Sequence, residues 1–508
     1  MIELKNVNFE YGSAEGMAGR IGEKFSNGSL HGVNLSVAKG EFILLTGGSG
    51  CGKTTILRLI NGLIPNFFEG SLEGSVTVDG FDVSHAELYD TAKSVSTVFQ
   101  NPRSQFFNVD TTSELAFACE NQGMEESEIL QRIDNTISEL HLEPLMNRSL
   151  FDLSGGQKQK IACASVAVTG NKIILLDEPS ANLDLQTIDE LAELLKKWKN
   201  EGKTIIVAEH RISYLWEIAD RTVILNDGKI VRELSRAQMD KISEEELHGL
   251  GLRTNRWLSS PQDVRSLSDV EGSKPQLSSE KDNRWFRQAQ PPLEIKNFHY
   301  KYKNGYLALD IPQMQIPLGK ITAITGNNGE GKTTLLNCLC GLGRRSKGTL
   351  LYKGKAYNRR QRQKLIYLVM QDVNHQLFTE SVLDEVVISQ KEENEEEARR
   401  ILASLDLAAF ADRHPQSLSG GQKQRVAVAS AIASGRDILL FDEPTSGLDY
   451  AHMLQIGQIL RSLQQMGKTV IVVTHDRELI KECCDCEIPL KDYNQISPIN
   501  PAKGENNA

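Results

Sequence analysis

No stretch of this chain approaches the roughly 18–20 consecutive apolar residues that span a bilayer. Its best apolar runs, residues 172–176 and 469–474, are far shorter and read as buried parallel strands. The N-terminus, Met1-Ile2-Glu3-Leu4-Lys5, lacks the apolar core of a signal peptide. A cytoplasmic protein is therefore expected, and any membrane work would need another subunit to supply the membrane part. Cysteine is scarce, eight among 508 residues, and most cysteines fall inside predicted elements, as reduced thiols do in a cytosol. Cys483, Cys484 and Cys486 cluster, but too tightly for one segment to offer a tetrahedral metal set. Excess positive charge is also lacking. The formal net charge is -10 and no basic stripe runs through the chain, a poor start for a nucleic-acid binder. Apolar residues at 40% and charged residues at 24% leave ample material for large cores and exclude wholesale disorder.

What the chain does have is a duplication. Gly47-Gly48-Ser49-Gly50-Cys51-Gly52-Lys53-Thr54-Thr55 returns as Gly326-Asn327-Asn328-Gly329-Glu330-Gly331-Lys332-Thr333-Thr334. Leu153-Ser154-Gly155-Gly156-Gln157 returns as Leu418-Ser419-Gly420-Gly421-Gln422, and Asp177-Glu178-Pro179 as Asp442-Glu443-Pro444. His210 returns as His475. The interval from the leucine to the aspartate is 24 residues in both halves (177 − 153 and 442 − 418), and from the aspartate to the histidine 33 (210 − 177 and 475 − 442). Each half is thus one α/β unit of the same kind. The expected domains are 1–235 and 292–490, joined by a linker over 236–291 and followed by a loose tail over 491–508. Seven serines between Ser259 and Ser279 mark the linker, and Gln238 to Leu250 within it reads as a short helix. The glycine-rich stretch Gly12 to Gly28 reads as a surface insertion.

Gly-x-x-x-x-Gly-Lys-Thr after an apolar strand and before a helix is a phosphate-binding loop, because its glycines let backbone N–H groups converge on phosphate oxygens at a helix N-terminus. Lys53 and Lys332 are expected to reach the β- and γ-phosphates, and Thr54 and Thr333 to ligate Mg²⁺. Asp177 and Asp442 end apolar strands at the carboxyl edge of a parallel sheet, where a carboxylate can hold the metal's shell. Glu178 and Glu443 follow, placed to polarise an attacking water. His210 and His475 follow further strands and are expected to contact the γ-phosphate. Ser-Gly-Gly-Gln opens another helix, a second phosphate-seeking terminus within each half.

Together these motifs resemble the ABC ATPase family over nearly all of both halves, about residues 1–228 and 293–487. The resemblance implies two P-loop nucleotide-binding domains in tandem, each a RecA-like αβ core with a helical subdomain. It also implies an intrachain pseudo-dimer, paired head to tail, that binds and hydrolyses ATP with Mg²⁺. One site would combine Gly47, Gly50, Gly52, Lys53, Thr54, Thr55, Gln100, Asp177, Glu178 and His210 with Ser419, Gly420, Gly421 and Gln422. The other would combine Gly326, Gly329, Gly331, Lys332, Thr333, Thr334, Gln371, Asp442, Glu443 and His475 with Ser154, Gly155, Gly156 and Gln157. Glu178, Glu443, His210 and His475 would be catalytic. Thr54, Gln100 and Asp177, with Thr333, Gln371 and Asp442, would hold Mg²⁺, partly through water. Tyr11 resembles the aromatic that stacks on adenine; its counterpart is Tyr302, with Tyr300 as the alternative. Glu330 departs from the pattern by placing an acid inside the second loop.

The segments Gln100-Asn101-Pro102-Arg103-Ser104-Gln105-Phe106-Phe107 and Gln371-Asp372-Val373-Asn374-His375-Gln376-Leu377-Phe378 each carry a second glutamine five positions on and then an apolar pair. With Ala208-Glu209-His210-Arg211, they resemble the fused, two-cassette ATP-binding component of energy-coupling factor (ECF) importers of vitamins or metal ions. That resemblance implies a place on the cytoplasmic face of the membrane, with a transmembrane coupling protein and a small substrate-binding membrane protein as partners. Coupling helices would dock near Gln105 and Gln376, with Phe106, Phe107, Leu377 and Phe378 lining the grooves or packing the helical subdomain. The rival readings are a soluble tandem ATPase acting on ribosomes or DNA, and a tandem sugar-importer ATPase.

Overall fold

The runs Ile173–Asp177 and Thr204–Ala208 have no polar alternation, and every residue in them is buried. Such strands belong inside a parallel sheet covered on both faces. In the computed structural model they lie within a six-stranded sheet in the spatial order 229–235, 221–226, 42–47, 204–208, 173–177, 95–98. All neighbours in it are parallel except the 229–235 edge strand. The second half repeats the sheet with five parallel strands, in the order 366–369, 438–442, 469–473, 321–325, 486–489. The structure describes residues 2–12, 28–181, 183–254, 256, 291–303, 305–418 and 420–496. The insertion expected within 12–28, the serine-rich part of the linker, the end of the tail and Ser419 lie outside the described residues, apart from the insertion's end residues Gly12 and Gly28.

Strand alternation divides each core in two. Ile43 and Leu45 face Ile56, Leu57 and Ile60 of the helix Lys53–Ile60. Phe42 and Leu44 face the opposite layer, where Ile188, Leu191, Leu195 and the fully buried Trp198 of the helix Leu185–Asn200 pack with Ala162 and Val166. A four-stranded antiparallel sheet flanks each parallel one. A helical subdomain with its own small core, including Leu115, Ile129 and Ile133, sits above the first sheet. The architecture is the tandem α/β arrangement expected, with a helical subdomain in each half.

The stretch expected to be one short helix holds two, Arg236–Met239 and Glu244–Gly249. Met239, Leu247 and Leu252 fill the first core, so this segment closes the first half. It then reaches the second. The imidazole of His248 stacks on Tyr450 with centroids 4.0 Å apart. Arg253 donates to Asp476 at 2.8 Å and Glu478 at 3.2 Å, and its other guanidinium nitrogens donate to the Leu448 carbonyl. The side chains of Arg253 and Asp476 are only 8% and 7% exposed, so this ion pair between the halves is dry. Among the described residues no helix is long and apolar enough to cross a membrane, and no three or more His, Cys, Asp and Glu residues cluster as a metal site.

Removing one partner of a buried pair strands the other charge at a cost of about 3–5 kcal/mol. Arg253→Ala should therefore lower stability by that order in urea unfolding, whereas Arg253→Met with Asp476→Asn should recover most of the loss. Equal stability of Arg253→Ala and the parent would show that the pair is not buried in solution.

Candidate functional site

The parallel strands deliver their chemistry at their carboxyl ends. Asp177 is in register with Ala208, and Asp442 with Val473, so the aspartate, the glutamate after it and the histidine two residues beyond the next strand meet at one sheet edge. Glu178 and Glu443 both take left-handed backbone, φ 44° and 48°, which non-glycine residues rarely adopt. Each is pinned there by its own N–H, which donates to the Ala208 or Val473 carbonyl at 2.8 Å. The same strain at the same position in both halves aims each carboxylate along the sheet edge toward its histidine.

The glycine loops sit beside these residues. Gly47 has φ 146°, and a Cβ there would stand 2.1 Å from the Leu225 carbonyl oxygen; a Cβ on Gly331, φ 93°, would stand 2.5 Å from that of Ala308. Lys53 donates to the carbonyls of Gly47 and Gly48 at 3.1 and 3.0 Å, and Lys332 to those of Gly326 and Asn327 at 2.7 and 2.9 Å. Thr54 donates to Asp177 at 3.0 Å, and the Thr333 hydroxyl likewise serves Asp442. Burial, with Glu178 alongside, pushes the Asp177 carboxyl up to about 6, and burial raises Asp442 as well. A buried carboxylate beside a hydroxyl is a pair of hard oxygen donors of the kind that suits a divalent ion such as Mg²⁺.

The tyrosines repeat too. Tyr11 hydroxyl lies 3.1 Å from Thr55 Oγ1, and Tyr302 hydroxyl 2.8 Å from Thr334 Oγ1. Tyr300 instead sits edge-on to Tyr302 and packs against the second core, as Phe9 does beside Tyr11. The structure thus matches Tyr302, not Tyr300, to Tyr11. Glu330 does not project into solvent. Its Oε2 is buried without a hydrogen-bond partner, close to Gly326.

Each loop is completed by the other half. A cavity of about 320 Å³ is lined by Lys332, Glu443 and His475 from the second half and by Ser154 and Gly155 from the first. Ser154 caps its helix with a reciprocal Gln157 bond, so the first half's Ser-Gly-Gly-Gln turn faces the second half's phosphate loop. At the opposite loop, Gly447 lies close to Glu178. Ser419 falls outside the described residues, while Gly420 and Gly421 open the helix Gly420–Ala433. Two residues missed in the sequence bind the halves most directly. Asp449 accepts from Ser49 N–H and Asp184 from Asn328 N–H, both at 2.7 Å. Their signal was available: both stand seven residues after the strand aspartate (184 − 177 and 449 − 442).

The two sites differ electrostatically. In the first, Gln100 donates to Glu178 at 2.7 Å, and His210 Nε2 lies 3.3 Å from both Glu178 and Lys53. Burial raises the Glu178 carboxyl, but the His210 hydrogen bond and the charges of His210 and Lys53 outweigh it, and the net shift is downward. In the second, His475 Nε2 and Glu443 Oε1 are 3.5 Å apart and neither is hydrogen-bonded. Burial, opposed chiefly by Lys332, takes Glu443 up to about 7. Burial, then Lys332 and Arg211, takes His475 down to about 3.

The sequence model of the ABC transporter family matches residues 30–181 and 309–446. A Treponema denticola protein named as an ABC transporter ATP-binding protein is 43% identical over 95% of this chain and 94% of its own length. A Methanosarcina acetivorans protein of the same designation is 32% identical over 96% of this chain and 84% of its own. The ribosome-bound archaeal Pelota and ABCE1 structure matches 94% of this chain and 75% of that one at 22% identity and a TM-score of 0.63, a likeness of fold.

Because the folded state favours protonated Glu443, this group's contribution to stability is full below about 4.5 and is lost as pH rises through about 7. Glu443→Gln cannot ionise. Without nucleotide it should gain on the parent by on the order of 2–3 kcal/mol as pH rises from about 5 to about 8. Urea unfolding at a series of pH values checks this, and a pH-independent difference would refute it.

Proposed function

Since the chain belongs to the ABC transporter family and carries two ATP-binding cassettes of an ATPase, we propose that it energises a membrane importer of the ECF type. In this reading the two cassettes close on Mg²⁺-ATP at the cytoplasmic face of the membrane and reopen on hydrolysis. Lys53 and Lys332 hold the outer phosphates; Asp177 with Thr54, and Asp442 with Thr333, hold the metal's shell, with Gln100 and Gln371 beside them. When bound there, Mg²⁺ would supply positive charge against the negative charge that builds on the phosphates. Glu178 and Glu443 orient the attacking water and take its proton, His210 and His475 contact the γ-phosphate, and the Ser-Gly-Gly-Gln turns close each site from the other half. Tyr11 and Tyr302 stack on adenine.

One observation carries the transport part. Phe107 and Phe378 occupy the same place in the two halves, next to the loops opened by Gln100 and Gln371, and are 75% and 73% exposed. Phe107 stacks on Phe117 at 4.9 Å, widening the apolar surface. Large exposed aromatics at matched positions fit docking of apolar helices from a transmembrane coupling protein, which in turn holds a small substrate-binding membrane protein. Their neighbours do other work. Phe106 and Leu377 pack into cores. Gln105 braces its loop by accepting from Phe99 N–H and donating to Ala162 and Ser165, and Gln376 accepts from Met370 N–H and donates to Tyr367 and Leu368. Docking is therefore assigned to the phenylalanines and not to the glutamines.

Glu178→Gln with Glu443→Gln should cut ATP turnover at least ~100-fold while ATP still binds; near-normal turnover would refute the role of the glutamates. Phe107→Asp with Phe378→Asp should strip small polytopic membrane proteins from the chain when it is purified from mildly solubilised native membranes, with ATP binding kept. Ribosomal or DNA-repair proteins in place of polytopic ones with the unaltered chain would overturn the transport reading.

A further inference from the structure

The residue after the histidine breaks the internal symmetry. The first half reads Glu209-His210-Arg211 and the second Thr474-His475-Asp476. Glu209 is buried and accepts from the N–H groups of His210 at 2.7 Å, Arg211 at 3.1 Å and Ser180 at 3.2 Å, and from the Tyr214 hydroxyl at 3.1 Å. This carboxylate fixes the backbone of Arg211 from below. The Arg211 side chain then crosses to the other half, where it lines the cavity shared with Lys332, Glu443 and His475. Its Nη1 is buried and has no hydrogen-bond partner. A desolvated guanidinium N–H without an acceptor calls for an anion, and the cavity it lines is built to hold phosphates.

The counterpart, Asp476, cannot do the same for the first site. It is saturated by Arg253 at 2.8 Å and Thr445 at 2.7 Å. It also lines one small cleft with Arg211, so an acid of the second half faces the guanidinium where it crosses the interface.

We propose that Arg211 is supplied by the first cassette to the second ATP site, where its guanidinium contacts the terminal phosphate held by Lys332, and that the equivalent position, Asp476, supplies no cation to the first site. This rests on the reading that the site of Glu443 and His475 hydrolyses ATP. A planar cation at the transferring phosphoryl group stabilises charge that builds in the transition state, so the two sites are unequal by construction.

Vanadate trapping tests this. The full chain is incubated with Mg²⁺, photoreactive azido-ATP and orthovanadate, irradiated, and the labelled peptides are assigned to each half by mass spectrometry. Arg211→Gln, which keeps length and polarity but removes the charge, should reduce trapping in the second half at least about tenfold and change the first by less than about twofold. Arg211→Lys should restore most of the second half's label, which a merely structural role would not require. Undiminished second-half trapping in Arg211→Gln would overturn the proposal, as would equal loss from both halves or no rescue by lysine. A parent chain that traps nucleotide in neither half would overturn the ATPase assignment beneath it.

Discussion

Everything at the nucleotide sites depends on two aspartates that cross between the halves. Asp449 accepts from the backbone of the first phosphate loop, and Asp184 from that of the second. Each aspartate also caps the helix that follows it, Asp184 through Thr187 N–H and Asp449 through His452 N–H, both at 2.8 Å. A charge-assisted bond to a loop N–H is worth more than a neutral one, and here it couples one half's helix start to the other half's phosphate loop. The halves cannot separate without unpairing both loops. That is how a motif set split between two domains can report whether they are closed.

On this shared frame the two sites are held at different electrostatic settings. Around Glu178 the charges are already paired, with Gln100, His210 and Lys53 within hydrogen-bonding reach of one another or of the carboxylate. Around Glu443 one carboxylate oxygen, Oε1, and the His475 Nε2 are buried without hydrogen-bond partners, and both titrations move toward the neutral form. The first site is satisfied without phosphate, and the second gains most from a charged ligand. Glu330, whose Oε2 is buried without a hydrogen-bond partner in the second loop, is a further departure of that site from the first.

Much of this was legible in the sequence, because repetition at fixed spacing is strong evidence. The fold class, the loop lysines and the sheet-edge carboxylates all come from motifs whose chemistry needs those residues at those intervals. Tyr302 was selected over Tyr300 by matching Glu3-Leu4-Lys5-Asn6 to Glu294-Ile295-Lys296-Asn297, and its bond to Thr334, which repeats that of Tyr11 to Thr55, closes the alternative. The aspartates that join the halves repeat as faithfully as any motif, but an Asp before a helix reads as an ordinary cap until the partner loop is seen. What the sequence could not show is the work of Gln105 and Gln376 beside the expected grooves: each amide is bonded at both ends within its own half, so it shapes the loop that presents the neighbouring phenylalanine.

The segment after the first cassette explains why the asymmetry persists. Two like arginines after the two histidines would place opposed cations near one interface, and the Asp476 position resolves this by reversing the sign. Buried Asp476 then needs its own cation, and Arg253 supplies it from the first half, so the charge reversal and the closing segment are one device. Glu478 extends it by accepting from Thr254 N–H at 2.7 Å. The acids immediately beyond His475 are thereby gripped by residues of the first half, and the histidine is tied to the position of the other cassette. Through these contacts the geometry beside His475 is set by residues of the first half as well as by its own strand.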